Sequence, residues 1–220
     1  MTTANDASSQ RVRAALAVTA WTAALLQFML SIRAALASGQ TALDGVEAFF
    51  SYFTVLTNLF VALAAALPLI AGNTGLGRFF ARPTVLGCAT TAIVMVGAGY
   101  HLLLRDVWDP QGLQRVADNL LHYVVPVATL VYWLVFAPRV RLGMLAPLVW
   151  CLYPLGYLAY VLVRGALTGL YPYYFIDAAN LGYPKVMLNA AGMFGAFLAV
   201  GALVRAIAVL GGRRRDSPAG

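Results

Sequence analysis

The chain has 220 residues, of which 61% are hydrophobic and only 10% are charged, and its mean hydropathy is +0.78. Soluble domains carry about 25% charged residues, so this composition excludes a soluble enzyme or a soluble nucleic-acid-binding domain. It predicts an integral membrane protein, in which the net charge of +7 reflects the arginines that flank the membrane. Cys88 and Cys151 lie within apolar runs without a metal-binding spacing, which indicates buried free thiols.

Six apolar runs are long enough to cross about 30 Å of hydrocarbon as helices. We expect these helices at about 14–35, 47–71, 84–104, 119–137, 143–163 and 186–210. The predicted fold class is therefore an all-α membrane protein, with a single six-helix transmembrane domain over residues 11–210. Residues 1–10 are expected to be a disordered cytoplasmic N-terminus, and residues 211–220 a basic cytoplasmic tail.

The first apolar run has two interpretations. Arg11 and Arg13 precede it, and Ala35-Leu36-Ala37 has the small residues of a signal-peptide cleavage site. The run is longer than the usual apolar core of a signal peptide, and Arg33 stands just before that site. We therefore expect a retained first helix.

The second predicted helix begins with a polar segment. Asp44-Gly45-Val46-Glu47 has the spacing of a capping box, with Asp44 as the N-cap residue. This spacing indicates that Asp44 and Glu47 cap a helix and are not catalytic acids.

Basic residues are distributed unevenly between the two sides of the predicted bundle. One side is flanked by Arg11, Arg13, Arg78, Arg82, Arg139, Arg141 and the run Arg213-Arg214-Arg215. The opposite side carries most of the acidic residues. The positive-inside rule then predicts that both termini are cytoplasmic, with the C-terminal arginine run anchored to anionic lipid.

Polar residues gather at one depth of the predicted bundle. Ser51, Thr54, Thr57 and Asn58 are three or four residues apart, so they share one face of the second helix. In the predicted topology this face lies in the outer half of the membrane. The same half holds His101, Asn119, His122, Asp177 and Asn189. Polar groups inside a membrane are unfavourable and often mark function, so we expect one site near the outer interface.

These residues also have structural interpretations. A threonine in a membrane helix can bond the carbonyl four residues earlier, and Asn58 and Asn189 can join neighbouring helices. The last external loop contains several aromatic residues, whose composition is that of an interfacial belt: Tyr171, Tyr173, Tyr174 and Phe175.

A zinc site is a further alternative. His101, His122 and Asp177 are the residue types of a His-His-carboxylate site, but they lie on separate segments without a diagnostic spacing. We therefore expect neither a metal nor a cofactor.

Three stretches of the chain carry a resemblance to a known family. They are Tyr52-Phe53-Thr54, Asn119-Leu120-Leu121-His122 followed by Pro126, and the segment from Gly169-Leu170-Tyr171-Pro172 to Asp177-Ala178-Ala179-Asn180-Leu181-Gly182-Tyr183. Together they resemble the bacterial six-helix Pr6Pr-type membrane proteins. More distantly, they resemble the androgen-induced and androgen-dependent TFPI-regulating proteins, which are intramembrane threonine hydrolases of fatty acid esters of hydroxy fatty acids.

The resemblance runs from the second helix to the sixth. It implies that Thr54 is the nucleophilic threonine and His122 the essential histidine, in a multi-pass protein of the bacterial cytoplasmic membrane. The eukaryotic pattern has an acidic residue shortly after the threonine, where this chain has Thr57 and Asn58, and His101 matches no motif of the family. The expected partner is a membrane lipid or a small lipid-like substrate, and not nucleic acid.

The residue types present suit that chemistry. A threonine hydroxyl is a weak nucleophile until a base takes its proton, and imidazole is the usual base near neutral pH. Asp118, Asn119 or Asp177 could hold the second imidazole nitrogen. Thr57 or Asn58 could donate a hydrogen bond to the oxyanion of the tetrahedral intermediate.

Two other classes of function stay open at the level of sequence. Six helices could form two inverted repeats of a small-solute transporter, although the polar groups lie away from the midplane where such a site belongs. A non-catalytic lipid-binding or scaffold protein would use the same polar face only for packing. The sequence does not identify a substrate or an oligomeric state.

Overall fold

The computed structural model describes residues 2–136 and 142–213, and these residues contain helices but no strand. The α-helices are α1 Thr2–Ala37, α2 Ala42–Ser51, α3 Phe53–Ile70, α4 Gly75–Phe80, α5 Pro83–Gly99, α6 Gly112–Asn119, α7 Val125–Phe136, α8 Ala146–Trp150, α9 Leu152–Thr168, α10 Ala178–Leu181 and α11 Tyr183–Arg213. Two π-helical segments, Tyr100–Leu104 and Leu120–Val124, follow α5 and α6, and a 3₁₀ turn covers Tyr174–Ile176. The predicted all-α fold class is confirmed.

Within the described residues, six helical spans are long and apolar enough to cross a membrane, which confirms the predicted number. They are Asp6–Ala37, Phe53–Ile70, Pro83–Leu104, Gly112–Phe136, Ala146–Thr168 and Tyr183–Leu210. The architecture is that of a multi-pass membrane protein. The orientation stays a prediction, and Arg139, Arg141 and most of the predicted basic tail lie outside the described residues.

The first span differs from its prediction at the N-terminus. Helix α1 begins at Thr2, within the segment that the sequence predicted to be disordered. Ser9 is helical, and its hydroxyl lies 3.3 Å from the Tyr132 hydroxyl of α7. Alanine, serine and glutamine are tolerated in a helix, so the apolar run can propagate its helix towards the terminus. Nothing in the polarity of residues 1–10 revealed the contact with α7.

The second span is broken where the sequence predicted a continuous helix from 47 to 71. Tyr52 has extended backbone angles, φ −93° and ψ 130°, and separates α2 from α3. The predicted cap is also wrong by one turn: Thr41 is the N-cap of α2, and Asp44 occupies the third position of the capping box. Both registers have side chains three residues apart that suit a capping box. Glu47 instead pairs with Arg164 of α9 at 2.9 Å.

Small side chains allow the central helices to approach closely. Helix α1 packs along α3, and α3 packs along α5, which also contacts α7 and α11. Fully buried alanines occupy these contacts: Ala20, Ala23, Ala62, Ala89 and Ala92. Because these side chains are short, the helix backbones come close and dispersion contacts are dense. This packing fixes the end of α3 that borders the candidate site.

Candidate functional site

Two cavities meet at the end of the bundle where α1 ends and α3 begins; we call this the cavity end. The larger has a volume of about 500 Å³ and is bordered by Thr54, Asp118 and His122. The smaller has a volume of about 100 Å³ and is bordered mainly by apolar side chains of α5, α9 and α11. Thr54, Tyr100 and Tyr173 border both cavities, so they stand between a polar and an apolar space.

The break at Tyr52 determines the position of Thr54. Because α3 restarts at Phe53, the N–H of Thr54 belongs to the first turn of a helix, where backbone donors lack helical acceptors. This N–H donates to the Tyr173 hydroxyl at 3.3 Å. The Thr54 Oγ1 atom lies 3.5 Å from the same hydroxyl. The threonine therefore sits at the positive end of the α3 dipole, on the wall of both cavities.

Three other buried threonines of the bundle behave differently. The hydroxyls of Thr90, Thr91 and Thr129 donate to the carbonyl four residues earlier, at 2.7 to 2.8 Å. This is the structural pattern expected of threonine in a membrane helix. The hydroxyl of Thr54 instead approaches Tyr173. Thr54 therefore differs from these three threonines, whose hydroxyls bond carbonyls of their own helix.

The π-helical segment Leu120–Val124 carries His122. Its Nδ1 atom lies 3.0 Å from the Asp118 carbonyl oxygen and 3.1 Å from Asp118 Oδ1. Both neighbours are acceptors, so Nδ1 carries the ring proton in the neutral imidazole, with the carbonyl as its nearer acceptor. The remaining nitrogen, Nε2, is then the basic one. The carboxylate contact becomes an ion pair when His122 is protonated.

Tyr100, the first residue of the π-helical segment that follows α5, completes this arrangement. Its ring stacks on the His122 ring, with centroids 3.8 Å apart and planes inclined by 12°. Its hydroxyl donates to Asp118 Oδ2 at 2.5 Å. Asp118 is only 4% exposed. The stacked ring and the buried carboxylate together fix the plane and the tautomer of the imidazole; we call these three residues the Tyr100–Asp118–His122 cluster.

Pro126 explains why Asn58 is buried beside this segment. The N–H of Val125 bonds the Leu120 carbonyl in π register, and Pro126 has no N–H to give to the Leu121 carbonyl. The amide of Asn58 donates to that free carbonyl at 3.2 Å and to the Thr54 carbonyl at 2.8 Å. Asn58 thus ties the helix that carries Thr54 to the segment that carries His122.

The remaining residues of the predicted polar face of α2 and α3 point away from the cavities. The Ser51 hydroxyl donates to the Glu47 carbonyl at 2.7 Å. The Thr57 hydroxyl lies 3.1 Å from the Tyr153 hydroxyl and is fully buried. Neither Thr57 nor Asn58 borders either of the two cavities described.

Asn119, Asp177 and Asn189, which the sequence placed near the site, lie elsewhere. Asn119 is exposed at the end of α6. Asp177 caps α10, accepting from the backbone N–H groups of Ala179 and Asn180 at 3.0 and 3.1 Å. Asn189 donates to the Phe175 carbonyl at 2.8 Å and so fastens the loop before α10 to α11.

The alternative zinc set is not brought together. His101 is exposed, with Nε2 3.2 Å from an Arg105 nitrogen, whereas Asp177 serves as a cap. Within residues 2–136 and 142–213, no group of three histidine, cysteine or acidic side chains could hold a metal ion.

Sequence reasoning missed two residues of the site. Tyr173 was assigned to an interfacial belt, but its hydroxyl lies beside Thr54. No local pattern indicates that contact, because 119 residues separate the two positions. The sequence around Tyr100 did not indicate that this residue belongs to the site either. Asp118 could be found, since a carboxylate four residues before His122 shares its helix face.

Comparisons with known proteins add no assignment. The chain matches no family model, no curated protein and no solved structure. The geometry of the cavity end is therefore the basis for assigning a function to this protein.

Proposed function

We propose that this protein is an intramembrane threonine hydrolase of lipid or fatty-acid esters in the bacterial cytoplasmic membrane. Thr54 is the nucleophile and His122 the general base. The observation that supports this proposal most is the larger cavity, which both side chains border. No direct hydrogen bond joins them within the described part of the chain, so the Thr54 proton reaches His122 through one water or after the two side chains approach each other around the bound ester.

The reaction follows from the acceptor and donor atoms available. Thr54 Oγ1 attacks the ester carbonyl carbon while His122 Nε2 takes the hydroxyl proton. The tetrahedral intermediate collapses, the ester C–O bond breaks, and the imidazolium returns the proton to the departing alkoxide. Water then attacks the acyl-threonine with His122 again as base, which releases the carboxylic acid and restores Thr54.

Asp118 and Tyr100 act through His122. The carboxylate 3.1 Å from Nδ1 stabilises the imidazolium that forms during each half-reaction. Tyr100 holds that carboxylate by a hydrogen bond and the ring by stacking. Both are positioning residues, because neither transfers the proton itself.

The two cavities suit an ester with an apolar chain. The smaller cavity is bordered by Met95, Leu158, Phe194 and other apolar side chains, and it reaches Thr54. The larger contains the polar side chains of Gln27, Ser31, Gln114 and Asp118 as well as His122. The apolar chain of the ester would therefore lie in the smaller cavity and its polar part in the larger one, with the carbonyl group at Thr54 between them. A site at this end of the bundle would face the outer leaflet in the predicted orientation.

The test is hydrolysis and labelling of purified protein in detergent, with long-chain esters and a lipid-like fluorophosphonate. Thr54→Ala and His122→Ala should each lower kcat by about 10⁴-fold or more, because nucleophile and base act as a unit. Thr54→Ser should keep part of the activity and of the labelling, since the hydroxyl survives. Thr57→Ala is the matched control on the same helix; it should remain active and lose only the contact with Tyr153.

The alternatives give different results. Labelling that persists in Thr54→Ala would identify another nucleophile. Wild-type protein that binds lipid but neither labels nor hydrolyses any ester offered would favour a non-catalytic lipid-binding protein. Uptake of a solute into proteoliposomes without hydrolysis would favour the transporter.

A further inference from the structure

We propose that Tyr173 donates the hydrogen bond that stabilises the oxyanion when Thr54 attacks its ester. This assignment rests on the proposed hydrolase function and adds a catalytic residue from the loop between α9 and α10. An oxyanion donor must lie near the position that the carbonyl oxygen occupies in the tetrahedral intermediate.

The Tyr173 hydroxyl has the required position. It lies 3.5 Å from Thr54 Oγ1, and the residue Tyr173 borders both cavities. The carbonyl oxygen of a bound ester becomes attached, through one carbon, to the same Oγ1. A donor beside Oγ1 therefore lies within reach of the oxyanion from the wall of the cavity.

The hydroxyl can also direct its proton to the oxyanion, since in the resting site either this O–H or the Thr54 hydroxyl donates across their 3.5 Å contact. The oxygen accepts the N–H of Thr54 at 3.3 Å, which uses an acceptor position and leaves the O–H available. Burial raises the pKa of the Tyr173 phenol, so the group stays protonated near neutral pH. The N–H of Thr54 at the start of α3 polarises the phenol further towards donation.

The phenol ring is held in place before substrate binds. Tyr173 stacks on Phe175 with centroids 5.2 Å apart and planes inclined by 5°. Tyr52 meets the same ring edge-on at 5.8 Å. Asn189 anchors the Phe175 carbonyl to α11. Such preorganisation makes a hydrogen bond to a developing charge effective, because little reorganisation is needed at the moment of reaction.

Thr57 and Asn58, the two donors that the sequence suggested, are engaged elsewhere. The Thr57 hydroxyl pairs with Tyr153, and both hydrogens of the Asn58 amide face backbone carbonyls. Tyr173 is a hydroxyl donor that the structure brings within 3.5 Å of the nucleophilic oxygen.

Bonds, electrons and protons are all accounted for in the attack by Thr54. The bond from Oγ1 to the carbonyl carbon forms, the carbonyl π electrons move to oxygen, and the Thr54 proton moves to His122. The Tyr173 proton stays on the phenol throughout and only shares its hydrogen bond with the oxyanion.

The experiment compares Tyr173→Phe with Tyr157→Phe in the wild-type background. Tyr157 is the matched control, because its hydroxyl donates to the Ser51 carbonyl at 3.0 Å on the other side of the same helix break. Both variants lose one hydroxyl near Tyr52, so a structural role predicts similar losses of thermal stability. We expect Tyr173→Phe to lower kcat by about 10² to 10³-fold with little change in KM, and Tyr157→Phe to keep kcat.

A second variant tests the assignment in case Tyr173→Phe fails to fold. Difluorotyrosine at position 173 keeps the ring and hydroxyl but lowers the pKa of the phenol. An ionised phenol cannot donate, so the alkaline limb of the kcat profile should move to lower pH than in the wild type. Difluorotyrosine at position 157 should leave that profile in place.

The outcomes separate the two proposals. Active wild-type enzyme with kcat unchanged in Tyr173→Phe, or an unmoved pH profile in the fluorinated variant, would overturn the Tyr173 assignment alone. Wild-type protein that hydrolyses no ester would overturn the hydrolase proposal, and the Tyr173 assignment with it. A selective loss of kcat in the Tyr173 variants would support both.

Discussion

The two ends of α3 contain the same kind of backbone defect but use it differently. At the cavity end, the break at Tyr52 exposes the Thr54 N–H and the Ser51 carbonyl, which contact the hydroxyls of Tyr173 and Tyr157. At the opposite end, Pro68 has no N–H for the Ala64 carbonyl, and Arg13 donates to that carbonyl at 2.7 Å. Each end satisfies its backbone groups by a side chain from another element.

The difference lies in what surrounds each defect. Ala64 is 1% exposed, and neither cavity described above reaches it. Thr54 borders both cavities. A cationic side chain that seals a carbonyl in a packed region supports the fold. Neutral hydroxyls that meet a helix N-terminus beside an open space can also meet a ligand. The comparison indicates that a broken membrane helix marks a site when its free groups border a cavity.

The largest effect that would test the difference between the two ends of α3 is expected at the cavity end, at Asp118. Asp118→Asn should lower kcat by roughly 10³ to 10⁴-fold, because the amide can hold the wrong imidazole tautomer and cannot stabilise the imidazolium. Steady-state hydrolysis measures this, with a thermal shift to confirm folding. A loss below about tenfold would show that the carboxylate is structural.

The second prediction concerns the opposite end of α3, where Arg13 donates to the Ala64 carbonyl. Arg13→Met should lower the free energy of unfolding by about 1.5 to 3 kcal/mol, because it leaves the buried Ala64 carbonyl unpaired. The activity per folded molecule should not change. Equilibrium unfolding in detergent measures the stability.

A double-mutant cycle with Pro68→Ala tests the cause. Alanine restores an N–H that can reach the Ala64 carbonyl, so Arg13→Met should be milder in that background by roughly 1 kcal/mol. Equal losses with proline and alanine at position 68 would contradict the role assigned to the Arg13 hydrogen bond.

A smaller effect is expected at the cap of α2, which leads into the helix break. The Thr41 hydroxyl accepts the Asp44 N–H at 3.3 Å. Thr41→Ala should lower the free energy of unfolding by about 1 kcal/mol, the usual effect of a lost N-cap. Thr41→Ser is the control and should restore most of it. A serine variant as unstable as the alanine variant would indicate that the methyl group matters more than the cap.

The smallest effect is a pH dependence at the same cap. Hydrogen bonds from the Thr41 hydroxyl and N–H lower the pKa of Asp44. The folded pKa lies below the unfolded one, so the stabilisation is present above the unfolded value, about 3.9, and is lost as pH falls through the folded value. The difference in Tm between wild type and Asp44→Asn should narrow as pH falls below about 4. A Tm difference that does not change with pH would show that the cap stabilises α2 through its geometry and not through the charge of Asp44.

Several parts of the fold and of the site follow from local patterns. Runs of about twenty apolar residues predicted the six spans, because a backbone in hydrocarbon must form helices. The spacing of three or four residues placed Asp118 with His122. The break at Tyr52 could not be predicted, since aromatic and β-branched residues on either side of it are common in membrane helices. Its partners Tyr157 and Tyr173 lie more than a hundred residues further along the chain.

The sequence by itself determined that the chain is an all-α, six-span membrane protein, and it predicted that polar groups gather near one end of it. It did so because hydropathy and helical periodicity are local quantities. The tertiary structure alone decided which of those groups border a cavity: Thr54 and His122 do, whereas Thr57 and Asn58 do not. It also decided that Tyr100 and Tyr173 join them. The physical reason is that a buried polar group bonds the nearest unpaired partner, and distant segments provide that partner only after the helices have packed.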